Sequence, residues 1–175
     1  LIQAHCSVRP IKNVLIWGRN RQKAGELVAN LEHLPQSVTA VDDLQVAVTE
    51  ADIISCATMS REPLIKGAWL KPGQHLDMVG AYRPDMREAD DRCLTRSRII
   101  VDNLDTATKE TGDLKIPLDN GVISKSNIEA DLFALCRKDS VFERKDKDIT
   151  FFKSVGHALE DLAAAQLVIE LLKEE

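Results

Sequence analysis

The sequence lacks the patterns that mark several large classes of protein. Its 175 residues contain no apolar run close to the roughly 20 residues that a membrane span needs, and no signal peptide is visible at its start. The net charge of -5 leaves no excess of basic residues, which argues against a nucleic-acid-binding protein. With 44% hydrophobic and 29% charged residues, the composition is typical of one globular domain with a buried core.

The cysteines are few and form no CxxC pair, so the spacing does not indicate a zinc site. Cys6, Cys56, Cys93 and Cys136 lie far apart, which favours free thiols in a reducing compartment. We therefore expect a cytoplasmic protein without a bound metal.

The sequence also has no GxGxxG motif, which follows the first strand of a dinucleotide-binding fold. Its first segment, LIQAHCSV, has neither an initiator Met nor an N-cap, and is typical of the second half of a helix that ends before Pro10. These two absences lead us to expect a fragment, or a chain whose upstream residues are not included.

Apolar runs and helical periodicity alternate along the chain. Strands are predicted over residues 13–17, 37–41, 51–57, 76–79, 98–102 and 149–152, and helices over residues 21–31, 44–49, 85–95 and 157–173. Strands that alternate with helices indicate βαβ units and a parallel sheet, which is the α/β fold class. Ligands of such sheets bind outside the carboxyl ends of the strands, so the segments after the strands form the candidate site.

The run WLKPGQHLDMVGAYRPDMRE contains the most informative of these strand ends. Gly80 follows the strand, where a glycine permits either the close approach of a ligand to the backbone or a simple turn. Tyr82 and Arg83 come next and can reach a carboxylate substrate or a cofactor. Arg83 can equally form a surface ion pair.

Three other polar residues of this run are predicted to be structural. Asp85 is interpreted as a helix cap, and Glu88 as a first-turn partner of the helix dipole. His75 lies just before the strand, where a structural histidine is favoured over a catalytic one.

Two earlier strand ends also carry candidate contacts. Arg19 and Asn20 follow the first strand, and an Arg there suits the 2′-phosphate of NADP, with a solvated basic turn as the alternative. Thr58, Met59 and Ser60 follow the third strand, where small and hydroxyl residues leave room for a ribose or a phosphate, although Ser and Thr are common in turns.

Two later polar segments complete the set. Glu110, in the segment ETGD, is a general acid if burial raises its pKa, or else a helix end with Gly112 past the C-cap. Ser154, Val155 and Gly156 precede the last helix, where backbone amides can contact an anion or a polar ring substituent, or where Ser154 can cap the helix.

The ordered set WGRN, ADIISCAT, WLKPGQHLDMVGAYRPDMRE, KETGDL and FFKSVGHALEDLAAA resembles the ornithine cyclodeaminase/mu-crystallin family over essentially the whole chain. The resemblance implies a homodimer that binds NAD(P) in a Rossmann-like, doubly wound, mostly parallel sheet. It further implies that the first strand and the Gly-rich loop lie upstream. Residues 1–156 would then form the truncated NAD(P)-binding domain, and residues 157–175 a helix packed on it or on an absent substrate and dimerisation domain.

The resemblance also separates branches of the family. Its ornithine cyclodeaminases carry an Asp two residues after the strand-end Gly, where this chain has Tyr82, and GAYRPDMRE is more similar to the ketimine reductase and mu-crystallin branch. In that branch Glu110 matches a candidate proton donor near the imine nitrogen. Strand ends and resemblance together give ten candidate cofactor contacts: Arg19, Asn20, Thr58, Met59, Val79, Gly80, Tyr82, Ser154, Val155 and Gly156.

The resemblance predicts an oxidoreductase that reduces a cyclic imino acid of the pyrroline-2-carboxylate or piperideine-2-carboxylate type. NADP is the expected cofactor, with NAD possible, and the expected partners are a small imino or amino acid and a second copy of the chain. The catalytic candidates are Glu110, which would protonate the nitrogen, and Arg83, which would hold a carboxylate. The alternatives are ornithine cyclodeamination to proline and ammonia, an alanine dehydrogenase-like reaction, and a non-catalytic protein that binds NADP and a small ligand.

Overall fold

The computed structural model describes residues 1–137 and 142–173, in which helices and strands alternate. The helices are α1 (Ile2–Val8), α2 (Arg21–Asn30), α3 (Leu44–Glu50), α4 (Asp91–Thr95), α5 (Leu104–Glu110), α6 (Gly112–Asp119), α7 (Leu132–Leu135) and α8 (Ala158–Leu171). The strands are β1 (Asn13–Ile16), β2 (Ser37–Ala40), β3 (Ile53–Cys56), β4 (His75–Met78), β5 (Arg98–Val101), β6 (Ile128–Asp131) and β7 (Thr150–Lys153).

These strands form two sheets. β1 pairs with β2, and the other five strands have the order β3-β4-β7-β5-β6. Every strand pair between the described residues is parallel, which confirms the predicted parallel sheet. Within each sheet, the carboxyl ends of the strands therefore lie at the same edge.

The core surrounds the three central strands of the larger sheet. Its fully buried side chains include Leu76 and Met78 on β4, Ile99 and Val101 on β5, and Phe151 on β7. Burial of each such apolar side chain contributes about 1.5–3 kcal/mol, so these strands are fixed firmly against their neighbours. The loops after β4 and β7 consequently start from a rigid base.

Most predicted elements are present with ends within two residues of their predicted positions, but the helix over residues 85–95 is wrong in its first half. Only α4 is helical there, and its N-cap is Asp90, whose side chain accepts Cys93 N. The preceding residues form a turn at Pro84 and Asp85, and Ala89 then forms a parallel bridge with Ile65, which excludes a helix there. The prediction also missed β6, α6 and α7.

The last helix, α8, has no buried residue. Its apolar side chains at Leu159, Leu162, Leu167 and Val168 are each more than half exposed. Residues 174 and 175 of the segment predicted over 157–175 lie outside the described residues. No helix in the part of the chain that the structure describes is long and apolar enough to cross a membrane.

Candidate functional site

The loops after β3, β4 and β7 begin side by side at one edge of the five-stranded sheet. We name them the β3 loop (residues 57–60), the β4 loop (residues 79–83) and the β7 loop (residues 154–157), and together the loop edge. Val79 N donates to Cys56 O over 2.8 Å, and Ser154 N donates to Met78 O over 3.1 Å. The pairing of the strands thus continues into the loops. It brings together eight predicted site residues: Thr58, Met59, Val79, Gly80, Tyr82, Ser154, Val155 and Gly156.

Glu88 lies beneath two of these loops, and its side chain is fully buried. Its Oε1 accepts Thr58 N over 2.5 Å. Its Oε2 accepts Gly80 N over 2.9 Å and Ala81 N over 3.3 Å. A carboxylate removed from water needs such donors, and these three amides supply them. The prediction that Glu88 is a first-turn dipole partner is therefore wrong.

Gly80 is required by the contact between the β3 and β4 loops. A Cβ at this position would collide with the backbone N and O of Thr58 and with Oε1 of Glu88. The open side of this glycine thus faces protein atoms, and close loop packing explains the residue without a ligand. Approach of a ligand to Gly80 from the outer side remains a prediction.

Asp102 holds the β7 loop in the same way, and only 2% of this residue is exposed. Its Oδ2 accepts Val155 N over 2.7 Å, Gly156 N over 2.8 Å and Ser154 Oγ over 3.2 Å. Gly156 has φ of 87°, in the left-handed region that favours glycine. The two amides expected to contact an anion therefore donate to Asp102. The helix cap is His157 and not Ser154.

A buried ion pair supports Glu88 from below. Asp113 Oδ1 accepts Glu88 N over 2.8 Å and Ala89 N over 3.1 Å. Its Oδ2 lies 3.3 Å from Lys153 Nζ, and both side chains are fully buried. Neither of these two atoms makes a well-aligned hydrogen bond, so the attraction is electrostatic. Burial raises the pKa of Asp113, and the Lys153 charge opposes that rise.

The two catalytic candidates lie close together in the fold. Gly112 N donates to Arg83 O over 2.9 Å, which places the β4 loop beside the end of α5, where Glu110 is the last residue. Glu110 is exposed, so the described residues do not supply the burial on which its acid role depends. Arg83 forms an exposed ion pair with Asp85 over 3.1 Å, and Asp85 caps no helix.

Gly112 lies directly past Thr111, the C-cap of α5, as the sequence predicted. It is the first residue of α6, whose N-cap is Thr111. A Cβ on Gly112 would collide with the backbone O of Met86, so the glycine is needed where the chain after the β4 loop crosses the start of α6.

Two side chains project into solvent at the loop edge. Met59 is 72% exposed and Tyr82 is 50% exposed. A ligand bound along the edge would contact these side chains before it reached the backbone.

His75 lies at the amino end of β4, away from the loop edge. Its Nδ1 is 2.8 Å from Thr150 Oγ1, on the neighbouring strand β7. Burial lowers the pKa of His75, so the neutral imidazole is favoured. This arrangement agrees with the structural role that the sequence predicted.

The cysteines are all free, as predicted. Cys56 and Cys93 are buried, and burial raises the pKa of both thiols, which makes them poor nucleophiles. Within residues 1–137 and 142–173, no three His, Cys, Asp or Glu side chains are grouped so that they could hold a metal ion.

Arg19 and Asn20 lie at the carboxyl end of β1, in the two-stranded sheet. Arg19 is exposed, and Asn20 is the N-cap of α2, with its Oδ1 accepting Lys23 N over 3.1 Å. The next residue, Arg21, forms an ion pair with Asp42, which follows β2. Because Asp42 offsets the charge of Arg21, the basic character of this strand end comes from Arg19. Arg21 and Asp42 were not among the predicted site residues.

Sequence reasoning missed four buried charged residues that organise the loop edge: Glu88, Asp102, Asp113 and Lys153. One signal was available for two of them. Asp102 and Lys153 each come directly after an apolar strand run, where a charge must either reach solvent or find a partner. Glu88 and Asp113 lie in polar segments that carry no comparable signal.

Comparison with known proteins gives consistent results. The family model described as the ornithine cyclodeaminase/mu-crystallin family matches residues 2–175. The chain is 38% identical to a Delta(1)-pyrroline-2-carboxylate reductase of Paracoccus denitrificans over 98% of its own length and 55% of that protein. It is 37% identical to the ketimine reductase mu-crystallin of Rattus norvegicus over 91% of its length and 47% of that protein.

Two solved structures share the fold. The Thermococcus litoralis Delta(1)-pyrroline-2-carboxylate reductase in complex with NADH and L-proline has a TM-score of 0.94 and 33% identity, over 99% of this chain and 54% of that one. An archaeal alanine dehydrogenase dimer with bound NAD has a TM-score of 0.89 and 27% identity, over 99% of this chain and 54% of that one. The chain thus spans about half the length of the curated relatives that it matches.

Proposed function

We propose a function on the premise that this chain belongs to the ornithine cyclodeaminase/mu-crystallin family. The protein that contains this chain uses NAD(P)H to reduce a cyclic imino acid of the pyrroline-2-carboxylate or piperideine-2-carboxylate type. A hydride joins the carbon of the C=N bond, a proton joins the nitrogen, and the products are a cyclic amino acid and NAD(P)+. The observation that carries the proposal is similarity in sequence and fold to pyrroline-2-carboxylate reductases.

The chemistry of the loop edge fits the nicotinamide ring and the adjoining ribose of such a cofactor. Four backbone amides of the loops donate to buried carboxylates: Thr58 N, Gly80 N, Val155 N and Gly156 N. To a ligand, the loops therefore offer carbonyl oxygens, hydroxyl groups and apolar side chains. These groups suit a ribose and a nicotinamide, whereas phosphates require amide or cationic donors. When bound, the cofactor supplies the hydride, and the loops orient its ring.

Arg19 and Asn20 are the residues proposed to contact the phosphate that distinguishes NADP from NAD. An exposed, planar guanidinium at a strand end can donate two N–H groups to the oxygens of one phosphate. Asn20 already uses its Oδ1 to cap α2, so its Nδ2 amide group is the part left to donate. Arg19→Ala should raise the KM for NADPH about tenfold and leave the KM for NADH nearly unchanged. An equal rise for both cofactors would exclude Arg19 as the discriminating residue.

Glu110 is proposed to donate the proton to the imine nitrogen, and Arg83 to hold the substrate carboxylate. The bond between Gly112 N and Arg83 O keeps the two segments together, which suits a substrate that contacts both. Arg83 would have to exchange Asp85 for the substrate carboxylate. Because its pair with Asp85 is exposed, this exchange costs little.

The homodimer and the cytoplasmic location also belong to the proposal. The exposed apolar side chains of α8 suit burial in an interface or against another domain. The archaeal alanine dehydrogenase with the same fold is a dimer. The four free cysteines suit a reducing compartment.

The test is an assay of NAD(P)H oxidation on the full-length protein, with pyrroline-2-carboxylate and piperideine-2-carboxylate as substrates. Glu110→Gln should lower kcat by about 10²–10⁴-fold, the usual contribution of a general acid. Asp105→Asn is the matched control, since it removes an exposed carboxylate from the first turn of the same helix. Unchanged kcat in Glu110→Gln would remove Glu110 from the mechanism.

A second candidate is the oxidation of an amino acid such as alanine, which is favoured by the similarity to an alanine dehydrogenase. It uses the same bond change in the opposite direction, so the same site would serve. Formation of NADH from L-alanine and NAD+, with no turnover of either cyclic imine, would select this reaction. Tight binding of NADPH with no turnover of any of these substrates would instead identify a binding protein.

A further inference from the structure

The backbone of Glu88 is fixed by hydrogen bonds at both its N and its O. Its backbone N donates to Asp113 Oδ1 over 2.8 Å, and its backbone O accepts Leu64 N and Ile65 N, each over 2.9 Å. Asp113 is fixed in turn by the Lys153 ion pair. Glu88 therefore presents a carboxylate of fixed position. Because the side chain is fully buried, this carboxylate does not touch a ligand at the loop edge.

The two oxygens of that carboxylate are divided between two loops. Oε1 holds Thr58 N of the β3 loop, and Oε2 holds Gly80 N and Ala81 N of the β4 loop. The missing Cβ of Gly80 lets the loops meet directly over the carboxylate. The width of one rigid group thus sets the distance between the two loops.

We propose that Glu88 is a positioning residue for cofactor binding. By fixing the spacing of the β3 and β4 loops, it shapes the surface that receives the ribose and nicotinamide half of the cofactor. It acts only through the amides that it holds. This inference rests on the function proposed above.

Glu88→Gln is the sharpest test, because it preserves size and shape while replacing one acceptor oxygen with an NH2 group. The remaining oxygen should face the β4 loop, where it accepts two amides. The NH2 group then faces Thr58 N, so that a donor opposes a donor. The substitution should therefore release the β3 loop selectively and leave the β4 loop in place.

Two measurements on the full-length protein follow from this selectivity. Without cofactor, hydrogen exchange at the Thr58 amide should become at least about tenfold faster, and exchange at Gly80 and Ala81 should change much less. The Kd for NADH should rise about tenfold, with kcat at saturating cofactor nearly unchanged. A purely structural residue would not loosen one loop alone, nor separate the Kd from kcat.

Asp90→Ala is the matched control. Asp90 accepts Gly67 N over 2.8 Å and Cys93 N over 3.0 Å, so its loss also removes a carboxylate that holds backbone amides. These amides belong to segments outside the loop edge. Asp90→Ala should lower the unfolding midpoint and leave the Kd for NADH unchanged.

The outcomes separate the two levels of the proposal. If the wild-type protein fails to bind either NADH or NADPH, the proposed function is overturned, and this inference with it. If the wild type binds and Glu88→Gln binds equally well, only the positioning role is overturned. If Glu88→Gln does not fold, hydrogen exchange in the wild-type protein decides. Exchange at the Thr58 and Gly80 amides that is as slow as in β3 and β4 supports the positioning role. Exchange at the rates of free loops overturns it.

Discussion

Breaking the buried pair of Asp113 and Lys153 should weaken the whole support beneath the loop edge. Lys153→Met keeps most of the side-chain volume but leaves the Asp113 carboxylate buried without a cation. Removal of one partner of a buried pair costs about 3–5 kcal/mol in general. Asp113 still accepts Glu88 N and Ala89 N, so we expect the lower end, about 3 kcal/mol. For a chain of this size, that loss lowers Tm by about 6–12 °C.

The double substitution makes this expectation specific to the pair. Asp113→Asn alone leaves the Lys153 ammonium buried and unpaired, and should cost about 3–5 kcal/mol. Combined with Lys153→Met, it removes both charges, and the substituted carboxamide would keep one oxygen for the two backbone amides. The remaining loss in the free energy of unfolding is that of the unpartnered NH2 group, about 2 kcal/mol. The double variant should therefore be more stable than either single variant.

Urea unfolding at pH 8 and pH 5 adds an independent check. In Lys153→Met, the pKa of Asp113 is raised by burial and no longer opposed by the lysine. A carboxyl whose pKa is higher in the folded than in the unfolded chain binds an extra proton when folded, so stability rises as the pH falls through that window. The free energy of unfolding that Lys153→Met loses relative to the wild type should thus be smaller at pH 5 than at pH 8. Additive losses in the double variant, or an equal loss at both pH values, would refute the reasoning.

Four further substitutions, one of them a control, test other parts of the structure. Asp102→Ala should speed hydrogen exchange in the β7 loop and lower the free energy of unfolding by about 1–3 kcal/mol, because the loop amides lose a buried acceptor. Exchange at the wild-type rate would contradict this. Gly80→Ala should cost about 3 kcal/mol or prevent folding, since backbone and a buried carboxylate cannot move aside. Gly25→Ala on α2, where an added Cβ meets nothing within 4 Å, is its control and should stabilise by about 0.5–1 kcal/mol. Burial lowers the pKa of His75 below its ordinary 6.5, so the unfolded chain binds a proton that the folded chain does not, and stability falls as the pH drops below about 6.5. His75→Asn should flatten that part of the profile, which denaturant unfolding between pH 5 and pH 7 measures; an unchanged slope would assign it to other groups.

The positions of the loops were predictable because buried parallel strands are short apolar runs with abrupt ends. The run before Gly80 and the run before Ser154 both have this form, and alternation with helices is enough to indicate a parallel sheet. The sequence therefore predicted which loops share an edge.

The hydrogen-bond acceptors of the loop amides were not predictable, because they lie far from those amides in the sequence. Glu88 accepts an amide 30 residues earlier, and Asp102 accepts amides 53 and 54 residues later. In the sequence, an acidic residue at position 88 is equally typical of a first helical turn and of a buried acceptor. The bridge between Ile65 and Ala89, which is incompatible with a helical turn at this point, decides between the two.

The division of the strands into two sheets has a consequence for any ligand that reaches both. Arg19 extends from the smaller sheet and the loop edge from the larger one, and the described residues of the two sheets share no strand pairing. Under the function proposed above, a whole dinucleotide would contact both strand ends, whereas nicotinamide mononucleotide would contact the loop edge alone. Hydrogen exchange at the residues that follow β1 should therefore slow with the dinucleotide and not with the mononucleotide, so the length of the ligand decides whether both strand ends are contacted.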